Sequence, residues 1–266
     1  YVFPSSATSI SAGSSHLCSI VTDNSIRCAG INDNGQLGDG SNDDSIDQVI
    51  VQLPIGRHAI EIDSGEDFTC AILDNGSAYC WGANDQGQVG DGTNTDDRHT
   101  PVAVTLPSGR TAETITAGAN HACAILDDGS AYCWGDNDNG QLGDGSNSES
   151  NTPTAVSLPA GRTATLIDTD YYTTCAILDD GSAYCWGKGN WGQLGDGTTT
   201  DDNTPGPVSL PAGTTAINIS SSYTHTCAIL DDGSAYCWGT GDNGRLGHGT
   251  TGDENGDRTT PTQVSI

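Results

Sequence analysis

Short apolar runs alternate with polar, glycine-rich stretches along the whole chain, and the pattern returns about every 52 residues. The sharpest copy is CAILDDGSAYCWG at residues 175–187, and near-identical copies begin at Cys70, Cys123 and Cys227. A more divergent copy, CSIVTDNSIRCAG, begins at Cys18. A fixed period of this length indicates a repeat architecture, in which each unit buries its apolar face against a neighbour.

Each unit holds four strand candidates, which are clearest in the third unit at residues 112–118, 121–126, 130–135 and 152–158. The first and last of these alternate apolar and polar positions, whereas the middle two are short apolar runs, and this combination fits a small antiparallel sheet. Four-stranded units of this period predict an all-β fold, a β-propeller of five antiparallel blades. We predict one propeller domain over residues 1–266, with repeats at 7–58, 59–111, 112–163, 164–215 and 216–266.

The residues around Asp-Asp-Gly predict a β-hairpin. The three loop residues Asp-Asp-Gly suit a type I turn followed by one residue in the left-handed conformation. Gly181 would be that left-handed residue, because glycine adopts this conformation at no steric cost. If Leu178 and Ser182 close the turn, Cys175 lies opposite Cys185 in a non-hydrogen-bonded pair, within reach of a disulfide. Metal binding is the weaker alternative, because the nine-residue gap is not a zinc-knuckle spacing. The same count pairs all ten cysteines, as Cys18–Cys28, Cys70–Cys80, Cys123–Cys133, Cys175–Cys185 and Cys227–Cys237.

The run AGANHACAILDDGSAYCWGDNDNGQLGDG, residues 117–145, resembles the repeat of the regulator-of-chromosome-condensation family. It carries that family's Ala-Gly-x-x-His, Asp-Gly turn, Trp-Gly and Gly-Gln-Leu-Gly-x-Gly elements, and the resemblance extends over five copies. It implies a propeller whose blades combine strands from adjacent repeats. The best-known members have seven repeats and this chain has five, and the added cysteine pair looks like a secreted bacterial branch.

The two ends of the chain bear on how such a propeller closes. The last seven residues form a fourth-type strand with no unit after them, and the first unit lacks most of the preceding strand. We expect the C-terminal strand to complete the first blade and close the ring, and its addition to a neighbouring copy is the alternative. The candidate residues for closure or strand exchange are Thr260, Val264, Ile266, Tyr1 and Phe3.

The charge and cysteine content narrow the choice of partner and compartment. The formal net charge is −27 with eight basic residues, which excludes the basic surface that nucleic acids require and argues against anionic membranes. No apolar run is long enough for membrane insertion. Five internal disulfides favour an oxidising compartment, so we expect a secreted or cell-surface protein. The Tyr1 start suggests a mature chain or a fragment of a longer protein.

The acidic loops raise the question of calcium, which prefers oxygen ligands. Residues 136–140, Asp-Asn-Asp-Asn-Gly, miss the EF-hand register because the glycine comes one residue early. Solvated loops are therefore the main interpretation, calcium is the alternative, and no other cofactor is predicted. The candidate calcium ligands are Asp91, Asp96, Asp97, Asp196, Asp201 and Asp202.

Repetition argues against catalysis, because a catalytic site needs one asymmetric set of groups. His16, His121 and His225 share a repeat position with Phe68 and Thr173, which indicates packing and hydrogen bonding. No nucleophile with an adjacent base stands out. We therefore predict no catalytic residues and a protein that is not an enzyme.

Several aromatic residues depart from the repeat pattern in the fourth and fifth units. Trp191 stands in a loop where the other copies have polar residues, and Tyr171, Tyr172 and Tyr223 precede second strands. Lys188, the single lysine of the chain, is close to Trp191 in sequence. Off-pattern aromatic residues are candidate binding residues. Ordinary variation with partial burial is the alternative.

These observations predict a non-catalytic extracellular β-propeller for protein interaction or surface display. The partner would be a protein or a surface, with copies of the same chain included. One alternative is a structural subunit or adhesin that self-associates through its terminal strands. A glycan-binding protein or a secreted enzyme has less support. The family resemblance does not settle the function, because its members include an exchange factor and an enzyme inhibitor on one scaffold.

Overall fold

A computed structural model describes residues 6–249 and 256–265, which form five four-stranded antiparallel sheets and so confirm the predicted all-β fold. Each sheet contains four consecutive strands in chain order. A 3-10 turn at Asp242–Gly244 is the one helical element of the described residues, and none of their segments is a helix that could cross a membrane. The strands are β1 Ala7–Ala12, β2 His16–Val21, β3 Ile26–Gly30, β4 Ser45–Ile50, β5 Ala59–Ser64, β6 Phe68–Leu73, β7 Ala78–Gly82, β8 Arg98–Ala103, β9 Ala112–Ala117, β10 His121–Leu126, β11 Ala131–Gly135, β12 Ser150–Ala155, β13 Ala164–Asp170, β14 Thr173–Leu178, β15 Ala183–Gly187, β16 Asp202–Pro207, β17 Ala216–Ser221, β18 His225–Leu230, β19 Ala235–Gly239 and β20 Arg258–Gln263.

The chain divides into two compact units. The first contains the described residues up to Asp128, together with Tyr132–Asp136 and Glu149–Thr154. The second contains Gly129–Ala131, Asn137–Ser148 and the described residues after Thr154. The first two sheets therefore lie in the first unit, and the last two sheets lie in the second.

The predicted hairpin is present in every sheet. In the fourth sheet the Leu178 N–H donates to the Ser182 carbonyl at 2.9 Å, and Gly181 has a φ of 77°. This turn places Cys175 opposite Cys185 with their Cα atoms 4.1 Å apart. All ten cysteines are paired, which confirms the predicted disulfides Cys18–Cys28, Cys70–Cys80, Cys123–Cys133, Cys175–Cys185 and Cys227–Cys237.

A buried tryptophan in one sheet is held by the Gly-Gln-Leu-Gly loop of the preceding repeat. In the first unit the Trp81 indole donates to the Gln36 carbonyl at 2.9 Å, and a Cβ on Gly38 would lie 2.7 Å from the indole nitrogen. In the second unit Trp186 donates to the Gln141 carbonyl at 2.9 Å. Glycine is therefore required where the indole lies against the loop backbone. The loop leucines also belong to the core, since all four are at most 2 % exposed: Leu37, Leu142, Leu194 and Leu246.

The expectation that blades combine strands from adjacent repeats is wrong. Strand β4 pairs with β3 of the same repeat, with Cys28 opposite Val49. The long loop between them folds back because the buried Asn32 side chain donates to the Asp43 carbonyl at 3.2 Å, and the Asn32 N–H donates to Asp44 Oδ1 at 2.8 Å. These bonds bring the start of β4 beside the end of β3.

The C-terminal strand likewise belongs to its own repeat. Strand β20 pairs with β19, with Cys237 opposite Thr262, and the Val264 N–H donates to the Ala235 carbonyl at 2.8 Å. The strand thus completes the fifth sheet. The predicted role of Thr260 and Val264 in completing the first blade is wrong for this reason, whereas strand exchange with a second copy stays a prediction. The other residues named for closure, Tyr1, Phe3 and Ile266, lie outside the described residues.

Candidate binding site

Four residues at the turn from the first to the second strand of each repeat form what we call the corner, which is Gly118–His121 in the third repeat and ends on the first residue of β10. A Cβ on Gly118 would lie 2.4 Å from Cε1 of His121, and this histidine is fully buried. The first repeat has the same arrangement, with His16 Nε2 2.8 Å from the Thr69 hydroxyl. Burial lowers the pKa of His16 to about 4, so its ring is neutral near pH 7. In this corner the ring packs tightly beneath a glycine.

The corner of the fourth repeat, Asp170–Thr173, is built differently. Aspartate replaces the glycine, and a threonine that is 1 % exposed replaces the ring. The Thr173 hydroxyl donates to the Lys188 carbonyl at 3.2 Å. Because no ring occupies the space below, a side chain can stand at position 170. Tyr171 has a φ of 39°, which an L-residue with a bulky side chain seldom adopts.

Asp170 belongs to the fourth corner and lies close to that of the fifth repeat. Its carboxylate lies near the backbone N–H groups of Tyr171 and Tyr223 and the Ser222 hydroxyl, and these polar groups partly offset the effect of burial on its pKa. Burial, with a smaller contribution from the neighbouring Asp168, raises the pKa of Asp170 to about 6. Sequence reasoning missed this residue. The sequence did contain a signal for it: in the fourth repeat an aspartate replaces the glycine of the corner, and Thr173 replaces the aromatic or imidazole ring.

The structure brings together all five residues that the sequence predicted as a binding patch. We call Tyr171, Tyr172, Lys188, Trp191 and Tyr223 the aromatic patch. Tyr171 and Tyr223 hold the same position in successive repeats, and their ring centroids are 4.7 Å apart. Trp191 lies 5.0 Å from Tyr223, and Tyr172 lies 5.8 Å from Tyr171. The tilted and edge-on geometries are those that aromatic pairs prefer.

Lys188 places its ammonium group among these rings. Its Nζ is 4.9 Å from the ring centroids of Tyr172 and Trp191, and 5.8 Å from that of Tyr223. These distances are typical of cation–π interactions. Within residues 6–249 and 256–265, Lys188 forms no salt bridge, although the chain has 35 acidic residues.

The aromatic patch reaches solvent, unlike the tryptophans at the regular repeat position. Tyr223 is 40 % exposed and the remaining four residues are half-buried. The tryptophans at the regular repeat position are fully buried, so Trp191 is the one tryptophan with an accessible ring. The buried set is Trp81, Trp134, Trp186 and Trp238.

One residue of the aromatic patch, Tyr172, stands where the third repeat has Asn120, whose side-chain oxygen accepts a hydrogen bond. The Gln88 side chain donates to Asn120 Oδ1 at 3.4 Å in the first unit. In the second unit the amide nitrogens of Gln141 and Gln193 are buried without a hydrogen-bond partner among the described residues. Tyr172 stands at the repeat position of Asn120 and offers no carbonyl oxygen to Gln141. An unpaired buried amide costs stability, so this region gives up hydrogen bonds that the regular repeat makes.

The acidic loops use their carboxylates mainly to cap turns. Asp91 accepts the Thr93 N–H at 2.9 Å and pairs with Arg98 at 2.7 Å, and Asp201 accepts the Gly189 N–H at 2.9 Å. No group of three or more His, Cys, Asp or Glu residues that could hold a metal occurs in the described part of the chain. Calcium binding stays an untested alternative. The other named carboxylates also accept hydrogen bonds: Asp96 from Thr95, Asp97 from Asn84, Asp196 from Thr198, and Asp202 from Thr204.

Comparison with known proteins places this geometry in a family. A sequence model of the RCC1-like domain matches residues 2–266, and the chain belongs to this family. It is 30 % identical to the Ultraviolet-B receptor UVR8 of Arabidopsis thaliana over 246 residues, which is 92 % of this chain and 56 % of UVR8.

Solved structures show the same β-propeller fold. Human WBSCR16 matches with a TM-score of 0.87 at 20 % identity, over 98 % of this chain and 68 % of that one. Yeast RCC1 (Prp20), solved bound to Kap60, matches with a TM-score of 0.59 at 19 % identity, over 97 % of this chain and 74 % of that one. The chain thus spans about half of UVR8 and about two thirds to three quarters of these structures.

Proposed function

We propose that this chain is a non-catalytic, extracellular protein-interaction module and that it binds its partner through the aromatic patch. The observation that carries the proposal is the gathering of four aromatic rings and one lysine at a solvent-accessible place. Exposed Trp and Tyr are enriched where proteins bind one another, because they bury a large area with few rotatable bonds. The regular repeat has none of these five residues at the equivalent positions, so the fold does not require them.

The loss of hydrogen bonds beneath the aromatic patch supports a functional role. Where local rules are broken at a cost in stability, a binding or catalytic role is the usual reason. The Asp170 carboxylate also lies near the backbone N–H groups of both Tyr171 and Tyr223, and we expect it to help position these two residues. A rigid aromatic surface loses less conformational entropy on binding than a mobile one.

The disulfides support the extracellular assignment. Five disulfides that use every cysteine are typical of secreted and cell-surface proteins and rare where thiols are kept reduced. The partner-binding role agrees with what the name of a solved relative states, since yeast RCC1 (Prp20) was determined bound to Kap60. That likeness supports the class of function and does not identify a partner for this chain.

The proposal can be tested by site-specific photocrosslinking. A photoreactive phenylalanine analogue replaces Trp191 in the oxidised chain, which is then exposed to secreted proteins of the source organism. We expect one partner to crosslink and, once purified, to bind the unmodified chain saturably. The affinity should fall at least about tenfold in the double variant Trp191→Ala/Tyr223→Ala, as is usual when aromatic anchors are removed.

The matched control carries the same analogue at Asn139, the equivalent of Trp191 in the third repeat. Crosslinking of the same protein from both positions would contradict the proposal, because it would indicate non-specific contact. A partner whose affinity is unchanged by the double variant would contradict it as well.

A further inference from the structure

We propose that the aromatic patch is a receptor for a cationic side chain, a lysine ammonium or an arginine guanidinium on a partner protein, and that Lys188 fills it in the free protein. This inference rests on the proposed function and names the chemistry of the group that the aromatic patch recognises.

The first step is the geometry around Lys188. Three aromatic rings, those of Tyr172, Trp191 and Tyr223, lie within 5.8 Å of one ammonium nitrogen. A cation near several ring faces is attracted by the negative charge density of each face, and aromatic cages recognise organic cations in this way. The rings are held by contacts with one another as well as with the lysine, since Tyr223 contacts both Tyr171 and Trp191. A cage therefore remains when the lysine leaves.

The second step is that the fold does not need the lysine. The same repeat position holds Ile31, Ala83, Asp136 and Thr240 in the other copies, so neither a positive charge nor a long chain is required there. The side chain is a flexible tether with a compact charge at its end, and it can leave the rings by rotation of its own bonds. Among the described residues no carboxylate holds it in place.

The third step is the charge of the whole protein. A net charge of −27 attracts basic segments and repels acidic ones, and it raises the rate at which a basic partner arrives. The aromatic patch then selects for a side chain that can replace Lys188. Competition by the internal lysine weakens every cationic ligand by the same factor, because the ligand binds the fraction of molecules in which the cage is open.

The experiment monitors the tryptophan fluorescence of the oxidised full chain, in which Trp191 is the one accessible tryptophan and the four buried tryptophans give a background. The probe is N-acetyl-lysine N-methylamide, and its neutral isostere is N-acetyl-norleucine N-methylamide, at constant ionic strength. We expect the lysine probe to bind and the norleucine probe to bind at least about tenfold more weakly. If Lys188 occupies the cage about nine-tenths of the time, Lys188→Met should tighten the lysine probe about tenfold.

Three controls separate this effect from general electrostatics and misfolding. Lys188→Ala reproduces the residue of the second repeat and should tighten the probe as Lys188→Met does. Lys188→Arg keeps a cation in the cage and should leave the affinity within about twofold. Arg162→Met removes one positive charge from a surface ion pair with Asp179 and Asp180 and should also leave it unchanged.

Equal binding of the lysine and norleucine probes would overturn the inference, because the aromatic patch would then recognise apolar shape. Unchanged affinity in both Lys188→Met and Lys188→Ala would overturn the competitive role of Lys188. These outcomes are distinct from failure of the proposed function. A partner that crosslinks at position 191 while the lysine probe fails would leave the interaction module intact and reject its cationic ligand.

Discussion

The corners of the third and fourth repeats occupy the same place in nearly identical repeats, yet one is a packing element and the other supports a surface of four aromatic rings. In the third repeat Gly118 lies directly over the buried ring of His121. In the fourth repeat Thr173 takes the place of the ring, and Asp170 takes the place of the glycine. The comparison indicates that a fully buried ring leaves no room for a side chain above it. A polar side chain fits where the ring is absent, as in the fourth repeat, or half-buried, as His225 is in the fifth repeat below Ser222.

The polar side chain of the fourth repeat lies close to two neighbouring corners. The Asp170 carboxylate lies near backbone N–H groups of both corners, and each corner presents a tyrosine at the same repeat position. Because successive repeats place equivalent positions side by side, the substitutions that produced Tyr171 and Tyr223 made a pair in space. A repeat protein can thus acquire a binding surface by changing equivalent positions in adjacent units.

The largest expected effect comes from putting the fourth-repeat aspartate into the third corner. Gly118 has no positive φ, so the obstacle to a side chain there is the fully buried His121 ring and not backbone strain. In the fifth repeat, where His225 is only half-buried, Ser222 stands at this position. In Gly118→Asp the new Cβ meets the buried His121 ring, and we expect a loss of about 3 kcal/mol in the free energy of unfolding. Urea or guanidinium unfolding of the oxidised chain measures the loss.

A double variant tests whether the His121 ring causes the loss of stability in Gly118→Asp. Gly118→Asp/His121→Thr reproduces the pair found in the fourth corner, and it should recover about 2 kcal/mol of the loss. His121→Thr alone serves as the reference for the cost of removing the ring. A double variant as unstable as Gly118→Asp alone would show that the two corners differ for a reason other than this contact.

The reverse exchange should separate stability from the aromatic patch. Thr173→His forces a ring into a site that is 1 % exposed and beneath the Asp170 side chain, at a cost of about 2 kcal/mol. Adding Asp170→Gly restores the regular corner, so the stability should recover while the emission of Trp191 and the lysine-probe affinity do not. Recovery of both properties would mean that Asp170 does not position the tyrosines.

Sequence reasoning predicted the features that depend on local pairing and on repetition. The turn at Gly181 fixes the register that joins Cys175 to Cys185, and the deviation of Trp191 from its repeat position marked the aromatic patch. The sequence did not predict the sheet to which β20 belongs, because this depends on how the long loop before β20 folds. That loop is held by hydrogen bonds such as the one from Gly241 N–H to Asp257, which no periodicity reveals.

A smaller effect concerns the hydrogen bond that the aromatic patch gives up. In Tyr172→Asn an amide oxygen returns to the position of Asn120 and can accept from the buried Gln141 nitrogen, which lacks a partner among the described residues. We expect Tyr172→Asn to be about 1 kcal/mol more stable than Tyr172→Ala, because both lose the ring and one regains the bond. Equal stabilities by chemical denaturation would contradict this account, and both variants should bind the lysine probe more weakly than the native chain.

The last expected effect is a pH dependence that the regular corner lacks, since a glycine has nothing to titrate. The pKa of Asp170 is raised from 3.8 to about 6 in the folded protein, chiefly by burial and secondarily by Asp168, the charged group beside it. The folded state then holds the proton more tightly than the unfolded state. The free energy of unfolding should therefore rise as the pH falls from about 6 to about 4, and this contribution is lost as the pH rises through 6.

Thermal unfolding of the native chain and of Asp170→Asn across this range isolates the contribution, because the many other carboxylates are common to both. We expect the midpoint difference between the two proteins to change between pH 4 and 6 and to be constant above about 7. Glu61→Gln is the matched control in the first unit, where burial raises the pKa of Glu61 from 4.5 to about 7, so its own window lies between those two values. If Asp170→Asn followed the native curve throughout, the carboxylate would be solvated in solution, and the tie between the two tyrosine corners would be too weak to hold the aromatic patch in place.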